Sequence, residues 1–180
     1  MHMHIARLIL RIVVGGLFIG HGMQKLAGWF DGPGLDGTEK MMENLELEPA
    51  RRNAIAAGAT EAVGGAMLVA GAATPVAAAG LIGTMLTAIR TVHFKNGIWN
   101  SNGGWEFNAV MIASLLALTE TGPRRASLDA ARGRSRSGAG RAIGALAAGA
   151  AASTAIVELG RRAARAKRLT ASEDPDSPAM

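Results

Sequence analysis

The sequence AIAAGATEAVGGAMLVAGAA at residues 54–73 decides the fold of this 180-residue chain, because Glu61 is its only charged residue. Drawn as a helix, the segment is apolar on every face, and such a helix is either buried in a large core or spans a membrane. At 1.5 Å per residue it is about 30 Å long, which matches the hydrocarbon thickness of a bilayer. The segment therefore predicts a membrane-spanning helix.

Three further apolar stretches lie at residues 5–23, 76–93 and 107–119. Together the four stretches predict an all-α fold, a polytopic transmembrane four-helix bundle over residues 1–130. The last stretch is short for a span, so neighbouring residues, local thinning of the bilayer or other helices must complete it. A soluble helical bundle is the alternative, since mean hydropathy is only +0.20. However, 180 residues offer no soluble core large enough to bury four such helices.

A fifth apolar stretch, residues 142–159, follows in a basic segment that we assign to residues 131–168. It is long enough to span, and Gly140 and Gly144 have the small-xxx-small spacing that suits close helix contact. Basic clusters flank it on both sides, so spanning would place one of them outside. An amphipathic helix on the inner membrane surface is the alternative. Residues 169–180 are polar and contain proline, which predicts a disordered tail.

Charge predicts the orientation. Residues 1–123 hold 8 Lys and Arg against 9 Asp and Glu, whereas residues 124–180 hold 11 against 5. Arg7 and Arg11 precede the first apolar stretch, and basic residues favour the cytoplasmic side. We therefore expect a multi-pass protein of the bacterial plasma (inner) membrane, in contact with the lipid bilayer, with a cytoplasmic N-terminus.

The segment between the first two spans, residues 24–53, contains 6 acidic and 4 basic residues, as expected of an outside loop. Asp36 and Glu39 have capping-box spacing for a short helix. Met41, Met42 and Leu45 share one face of that helix. We expect an interfacial helix or a lid.

Composition excludes several functional classes. The chain has no cysteine, which removes disulfides, thiolate nucleophiles, iron–sulfur clusters and zinc–thiolate sites. Its arginine-rich segments contain no interleaved aromatic residues, so they do not predict nucleic-acid binding.

Ionisable residues stand at one end of each predicted span. His21 follows the first, Glu61 lies near the start of the second, and Glu106 opens the fourth. Arg90 and His93 end the third. When the spans cross the membrane alternately, all of these ends fall on one side, and charged groups in a membrane persist when they are paired, wetted or functional. The pattern predicts one shared polar site.

Local spacing adds further residues to this site. His21 lies three and four positions before Gln24 and Lys25, so the three side chains share a helical face. Arg90 and His93 are related in the same way, and we expect Arg90 to be the counter-ion of Glu61 or Glu106. The small Gly64 and Gly65 should let a neighbouring helix approach Glu61 closely.

Several motifs, in order along residues 5–130, resemble those of the DoxX family of small bacterial membrane proteins. They are HGMQKL (21–26), GWF (28–30), GPG (32–34), Glu61-x-x-Gly64-Gly65, TVHFKNG (91–97), GGxEF (103–107) and SLD (127–129). The resemblance implies four membrane helices and a relation to subunits linked with quinol oxidase and thiosulfate:quinone oxidoreductase activity. Some relatives act as membrane anchors for soluble redox or detoxifying enzymes.

We therefore expect a subunit of a quinone-linked membrane redox complex with protein partners. His21, His93, Glu61 and Glu106 are the candidate catalytic residues, as hydrogen-bonding groups, proton carriers and proton acceptors. The candidate quinone-binding residues are Gln24, Lys25, Arg90 and Asn96.

Other interpretations of the same residues stay open. The polar groups could simply hold helix ends together, or the protein could be a non-catalytic anchor that docks partners through its arginine-rich segment. Two histidines and two glutamates could bind a metal, although they form no local ligand motif, and we assign none. Bis-histidine haem has less support still. A transport path also has less support, since residues 66–73 and 76–85 contain no ionisable side chain.

Overall fold

The computed structural model describes residues 5–123, 126–134 and 136–173, and these residues form helices without a single strand. The helices are α1 (Ile5–Ala27), α2 (Gly34–Asn44), α3 (Ala50–Ala70), α4 (Thr74–Ala88), α5 (Glu106–Thr121), the short α6 (Leu128–Ala131) and α7 (Ala139–Glu173). Beyond Ala88, α4 continues as a π-helical turn, Ile89–His93, and a 3-10 turn, Phe94–Asn96. The predicted all-α fold is confirmed.

Among the described residues, four helical segments are long and apolar enough to cross a membrane: Ile5–Ala27, Ala50–Ala70, Thr74–Asn96 and Ala139–Ser172. Helix α5 has 16 residues, so the fourth stretch is short for a membrane span, as the sequence predicts. It runs between the same two ends of the bundle as α4, beside which it packs. The chain is thus a polytopic transmembrane bundle with an additional C-terminal helix.

Helices α1 and α3 are antiparallel and cross through paired glycines. A Cβ added at Gly15 would lie 2.7 Å from the carbonyl oxygen of Gly65, and one added at Gly22 would lie 2.6 Å from that of Gly58. Each helix thus has two glycines seven residues apart on the contact face. In lipid, the hydrophobic effect does not favour association of helices, so they associate through close van der Waals packing. At these positions only glycine allows the two backbones to come this close.

The core lies between α1, α3, α4 and α5. Its fully buried large side chains include Phe18 of α1, Leu68 of α3, Leu81 and Ile82 of α4, and Leu115 of α5. Gly64 faces Leu81 while Gly65 faces α1, so each glycine serves a different neighbour. The close helix approach expected next to Glu61 is confirmed.

Helix α7 lies along α4 and parallel to it. A Cβ at Gly149 would lie 2.9 Å from the carbonyl oxygen of Ala79, and one turn further on Thr87 Oγ1 donates to Ser153 Oγ at 3.0 Å. The buried residues of α7 form one stripe: Ala142, Ala145, Gly149, Ser153, Val157, Gly160 and Ala164. Helix α7 thus follows a candidate span over this length and is itself long and apolar enough to cross a membrane, which favours the spanning alternative.

The prediction of a disordered tail from residue 169 is wrong for its first residues. Helix α7 continues to Glu173, which places residues 169–173 in the helix. Residues 174–180 lie outside the described part of the chain.

The predicted lid helix exists as α2, but its start differs from the expectation. The helix begins at Gly34 after Pro33, with no side-chain cap. Asp36 and Glu39 bind Arg51 instead, with oxygens 3.3 and 2.6 Å from Arg51 Nη1. The predicted capping box is therefore wrong: an arginine at the start of α3 attracts both carboxylates and ties α2 down.

Two ends of the bundle matter for function. The site end is where α1 ends, α3 begins, α4 ends and α5 begins, and α2 lies there. At the opposite arginine end, α1 begins with Arg7 and Arg11, α3 turns into α4, and α5 is followed by Arg132, Arg134, Arg136 and Arg141.

Candidate polar site at one end of the bundle

A buried ion pair forms the centre of the site end. Lys25 Nζ in the last turns of α1 lies 2.6 Å from Glu61 Oε2 of α3, and the exposed side-chain fractions are 22% and 4%. The glycine crossing of α1 and α3 brings the two backbones close enough for this contact. Because a lone charge in a low-dielectric interior costs several kcal/mol (about 3–5 when one partner is removed), each group requires the other.

His21 and Gln24 extend this centre along α1. His21 Nδ1 lies 3.1 Å from Gln24 Oε1, and Lys25 Nζ also donates to the backbone oxygen of His21 at 3.5 Å. With an amide oxygen as its partner, Nδ1 carries the hydrogen, so Nε2 keeps a free lone pair. The helical face predicted for these three residues is thus brought together with Glu61.

The ring of His21 links α1 to α5. Its centroid lies 6.0 Å from that of Phe107 in an edge-to-face arrangement. Phe107 follows Glu106, which is the first residue of α5. The start of α5 therefore closes one side of the His21 environment, as the alternating threading of the spans predicts.

Thr38 is a residue of the site that sequence reasoning missed. It is fully buried in α2, and its Oγ1 lies 2.7 Å from the oxygen of Gly34 and 3.1 Å from that of Lys25. Through the second contact, α2 is attached to the turn of α1 that carries Lys25. A threonine inside a polar amphipathic helix has no distinctive pattern, so nothing in the sequence separates it from a solvent-exposed one.

His93 and Asn96 form a second group, in the π and 3-10 turns that end α4. His93 Nδ1 lies 2.7 Å from the backbone oxygen of Gly103, and Asn96 Nδ2 donates to the same oxygen at 3.2 Å. A carbonyl can only accept, so His93 donates from Nδ1 and its Nε2 keeps a lone pair. The two residues fix the loop that leads into α5.

Arg90 belongs to neither group. Its Nη1 donates to Thr154 Oγ1 at 3.2 Å, and its Nη2 lies 3.8 Å from Glu158 Oε1, both on α7. The expectation that Arg90 is the counter-ion of Glu61 or Glu106 is wrong. Arg90 binds α7 because α7 packs against the face of α4 that carries Arg90.

Glu106 occupies the N-terminal turn of α5, where the positive end of the helix dipole stabilises a carboxylate. Its backbone N–H donates to the oxygen of Ile98 at 2.9 Å. Within the described ranges no side chain binds its carboxylate. Glu106 thus has no ion-pair partner among the described residues, in contrast to Glu61.

The eight predicted site residues therefore separate into clusters at the same end of the bundle. His21, Gln24, Lys25 and Glu61 are joined by direct contacts, His93 and Asn96 share one carbonyl, and Arg90 turns to α7. In the part of the chain that the structure describes, no three His, Asp or Glu side chains converge as metal ligands would. The first cluster combines hydrogen bonds with one ion pair.

Comparisons with known proteins agree with this architecture. The DoxX family model matches residues 6–94, which cover α1 to the end of α4. A Bacillus subtilis (strain 168) protein named "Putative oxidoreductase CatD" is 30% identical over 125 residues, which is 69% of this chain and 85% of the relative. No solved structure matches the chain significantly.

Proposed function

Because this chain belongs to the DoxX family of membrane proteins, we propose that it is a subunit of a quinone-linked membrane redox complex whose quinone headgroup binds at the site end. The observation that carries the proposal is the buried Lys25–Glu61 pair, with the His21 imidazole on the same turn of α1. The name of the Bacillus relative, which describes an oxidoreductase, supports the same class.

A quinone headgroup supplies two carbonyl oxygens and, on reduction, takes up two electrons and two protons. Lys25 is the donor for one oxygen, because its ammonium has three hydrogens, of which Glu61 and the backbone oxygen of His21 use two, and its side chain keeps some exposure. Gln24 fixes the ring of His21 so that Nε2 is the free nitrogen, which can accept a hydroxyl hydrogen or exchange a proton. Glu61 holds Lys25 Nζ in position through the ion pair.

The remaining predicted residues act at the border of the same end. Glu106, the first residue of α5, is a proton acceptor at this border. His93 places its free Nε2 beside the loop that Asn96 also holds. Arg90 has no direct part in binding here, since α7 holds its guanidinium. Electrons are exchanged with a redox partner protein of the complex.

Quinone retention tests this function. The protein is purified in mild detergent from membranes that contain ubiquinone or menaquinone, and bound quinone is extracted and quantified for wild type, His21→Gln and Lys25→Met. We expect both variants to lose bound quinone, while the exposed Glu43→Gln in α2 retains it. Equal quinone content in all four proteins, with helicity unchanged, would refute the proposal.

A membrane anchor for a soluble redox enzyme is the second candidate. It is favoured by the exposed arginines between α5 and α7, Arg132, Arg134, Arg136 and Arg141, whose side chains form no ion pair within the described ranges. Arg124 and Arg125, which the sequence also assigns to this docking surface, lie outside them. Replacing the four described arginines by glutamine should release a co-purifying enzyme but leave quinone content unchanged, whereas the first candidate predicts the opposite for His21→Gln.

We also propose that the arginine end faces the cytoplasm of a bacterial plasma membrane. Five cations of the site end form ion pairs, including Lys25–Glu61 and Arg90–Glu158, whereas none of the described arginines of the arginine end does. Because the chain has no cysteine, Ser101→Cys and Ser137→Cys each add one exposed thiol at opposite ends. An impermeant maleimide added to intact spheroplasts should label position 101 alone, and labelling of position 137 alone would reverse the orientation.

A further inference from the structure

The first turns of α1 contain a buried guanidinium without a carboxylate partner. Arg11 is 4% exposed, and its Nη1 and Nη2 donate to the backbone oxygens of Pro123 (2.9 Å) and Ala126. Its Nε, although buried, has no hydrogen-bond partner among the residues that the structure describes. Two carbonyl contacts hold the group in place, but they do not neutralise its charge.

Two more buried donors lack partners at this same end. Arg7 lies one helical turn before Arg11 on the same face of α1, and its Nη1 is buried and unpartnered. Thr74, which is the first residue of α4 and only 1% exposed, has an unpartnered Oγ1. Buried donors in native proteins are nearly always hydrogen-bonded, so three exceptions at one end of a bundle require a common explanation.

The α3–α4 turn lies against Arg11 and leads into Thr74. Gly71 has a left-handed φ of 65°, and a Cβ added there would lie 2.8 Å from Arg11 Nη1, so the guanidinium lies directly against this turn. Thr74 follows three residues later, at the N-terminus of α4, where the helix dipole is positive. Asp129 also contacts the turn, through its N–H to the oxygen of Gly71, but it forms no ion pair with Arg7 or Arg11 among the described contacts.

We propose that Arg7, Arg11 and Thr74 form a binding site for the phosphate of an anionic phospholipid headgroup. A phosphate oxygen accepts several hydrogen bonds at once and carries the negative charge that Arg11 lacks. A lipid fits better than free phosphate because Ile9 and Val13, which lie further along α1 from Arg7 toward the middle of the bundle, are more than half exposed and offer an apolar surface to acyl chains. Basic recesses between membrane helices bind anionic headgroups in this manner. The proposal does not depend on quinone binding at the opposite end.

Native mass spectrometry of the protein released from nanodiscs tests this site. The nanodiscs contain equal amounts of phosphatidylglycerol and phosphatidylcholine, and the retained lipid is counted for wild type, Arg7→Gln and Thr74→Val. The control is Arg162→Gln, which removes an exposed cation of α7 at the site end. Arg11 itself is left unchanged, because its loss would also release the α5–α6 connection.

We expect wild type and Arg162→Gln to retain phosphatidylglycerol preferentially. Arg7→Gln should reduce that retention about tenfold, as the loss of one charge-assisted hydrogen bond does, and Thr74→Val by a smaller factor. The proposal is overturned if Arg7→Gln and Arg162→Gln behave alike, or if phosphatidylcholine is lost to the same extent. It is overturned in its choice of a lipid if inorganic phosphate alone raises the melting temperature of wild type, but not of Arg7→Gln, as much as phosphatidylglycerol does.

Discussion

Breaking the Lys25–Glu61 pair from its two sides should have unequal effects. At 2.6 Å and an effective dielectric constant near 20, the gross attraction is about 6 kcal/mol, most of which offsets the desolvation of both ions. Lys25→Met leaves a carboxylate whose side chain is 4% exposed in the middle of the bundle, so we expect a loss of about 3–5 kcal/mol. Glu61→Gln leaves an ammonium that is 22% exposed and can reach toward the membrane surface, so the loss should be smaller, about 1–3 kcal/mol.

The double variant separates pairing from burial. With neither charge present, Lys25→Met/Glu61→Gln should cost less than Lys25→Met alone, because no isolated ion remains in the interior. Unfolding by SDS in mixed micelles gives the four free energies, and Arg52→Met, an exposed cation at the start of α3, controls for the loss of a basic side chain. If Lys25→Met costs no more than Arg52→Met, or if the two single losses add in the double variant, the ion pair does not stabilise the site as described.

Three further outcomes follow from the fold. Gly15→Ala should destabilise by about 1–3 kcal/mol in the same SDS assay, because its Cβ would lie 2.7 Å from an α3 carbonyl, whereas Gly16→Ala, which meets nothing within 4 Å, should be neutral; equal effects would show that α1 and α3 do not cross there. Hydrogen bonds and charge from the end of α7 lower the pKa of Glu46 and Glu48 below 4.5, so their stabilisation is present above pH 4.5 and is lost as the pH falls through the lowered values. Pulsed hydrogen exchange should therefore show faster opening of the last turns of α7 only in acid, and a rate that does not change with pH would contradict the pairing. Gly149→Leu should separate α7 from α4 and speed tryptic cleavage within residues 161–168, and a cleavage rate equal to wild type would refute the close contact.

Much of the fold could be predicted because a bilayer imposes strong rules on sequence. The uniform apolarity of residues 54–73 requires a span, and the shortness of the stretch at 107–119 correctly indicates a helix that depends on its neighbours. For residues 142–159 the sequence allows both a membrane span and a surface helix, since alanine and glycine contribute little free energy of membrane insertion. Close packing of Gly149 against α4 positions α7 in the structure. This contact involves two helices far apart in the sequence, so the pattern within one helix does not reveal it.

The site was predictable in composition but not in pairing. Helical periodicity correctly places His21, Gln24 and Lys25 on one face, because that relation is local. The partner of Glu61 depends on how α3 and α4 are rotated about their axes, and a single sequence does not reveal this rotation. The sequence therefore predicts Arg90 as the counter-ion of Glu61 or Glu106, whereas the structure pairs Glu61 with Lys25 and binds Arg90 to α7.

The direction of α7 places the beginning of α1 and the last turn of α7 at opposite ends of the bundle. Helices α1, α3, α4, α5 and α7 run alternately between these two ends. A fluorescent or enzymatic reporter joined after α7 should therefore report the compartment that contains α2, and the same reporter joined before α1 should report the other. An interpretation of such fusions that counts only four passages would reverse the assigned orientation.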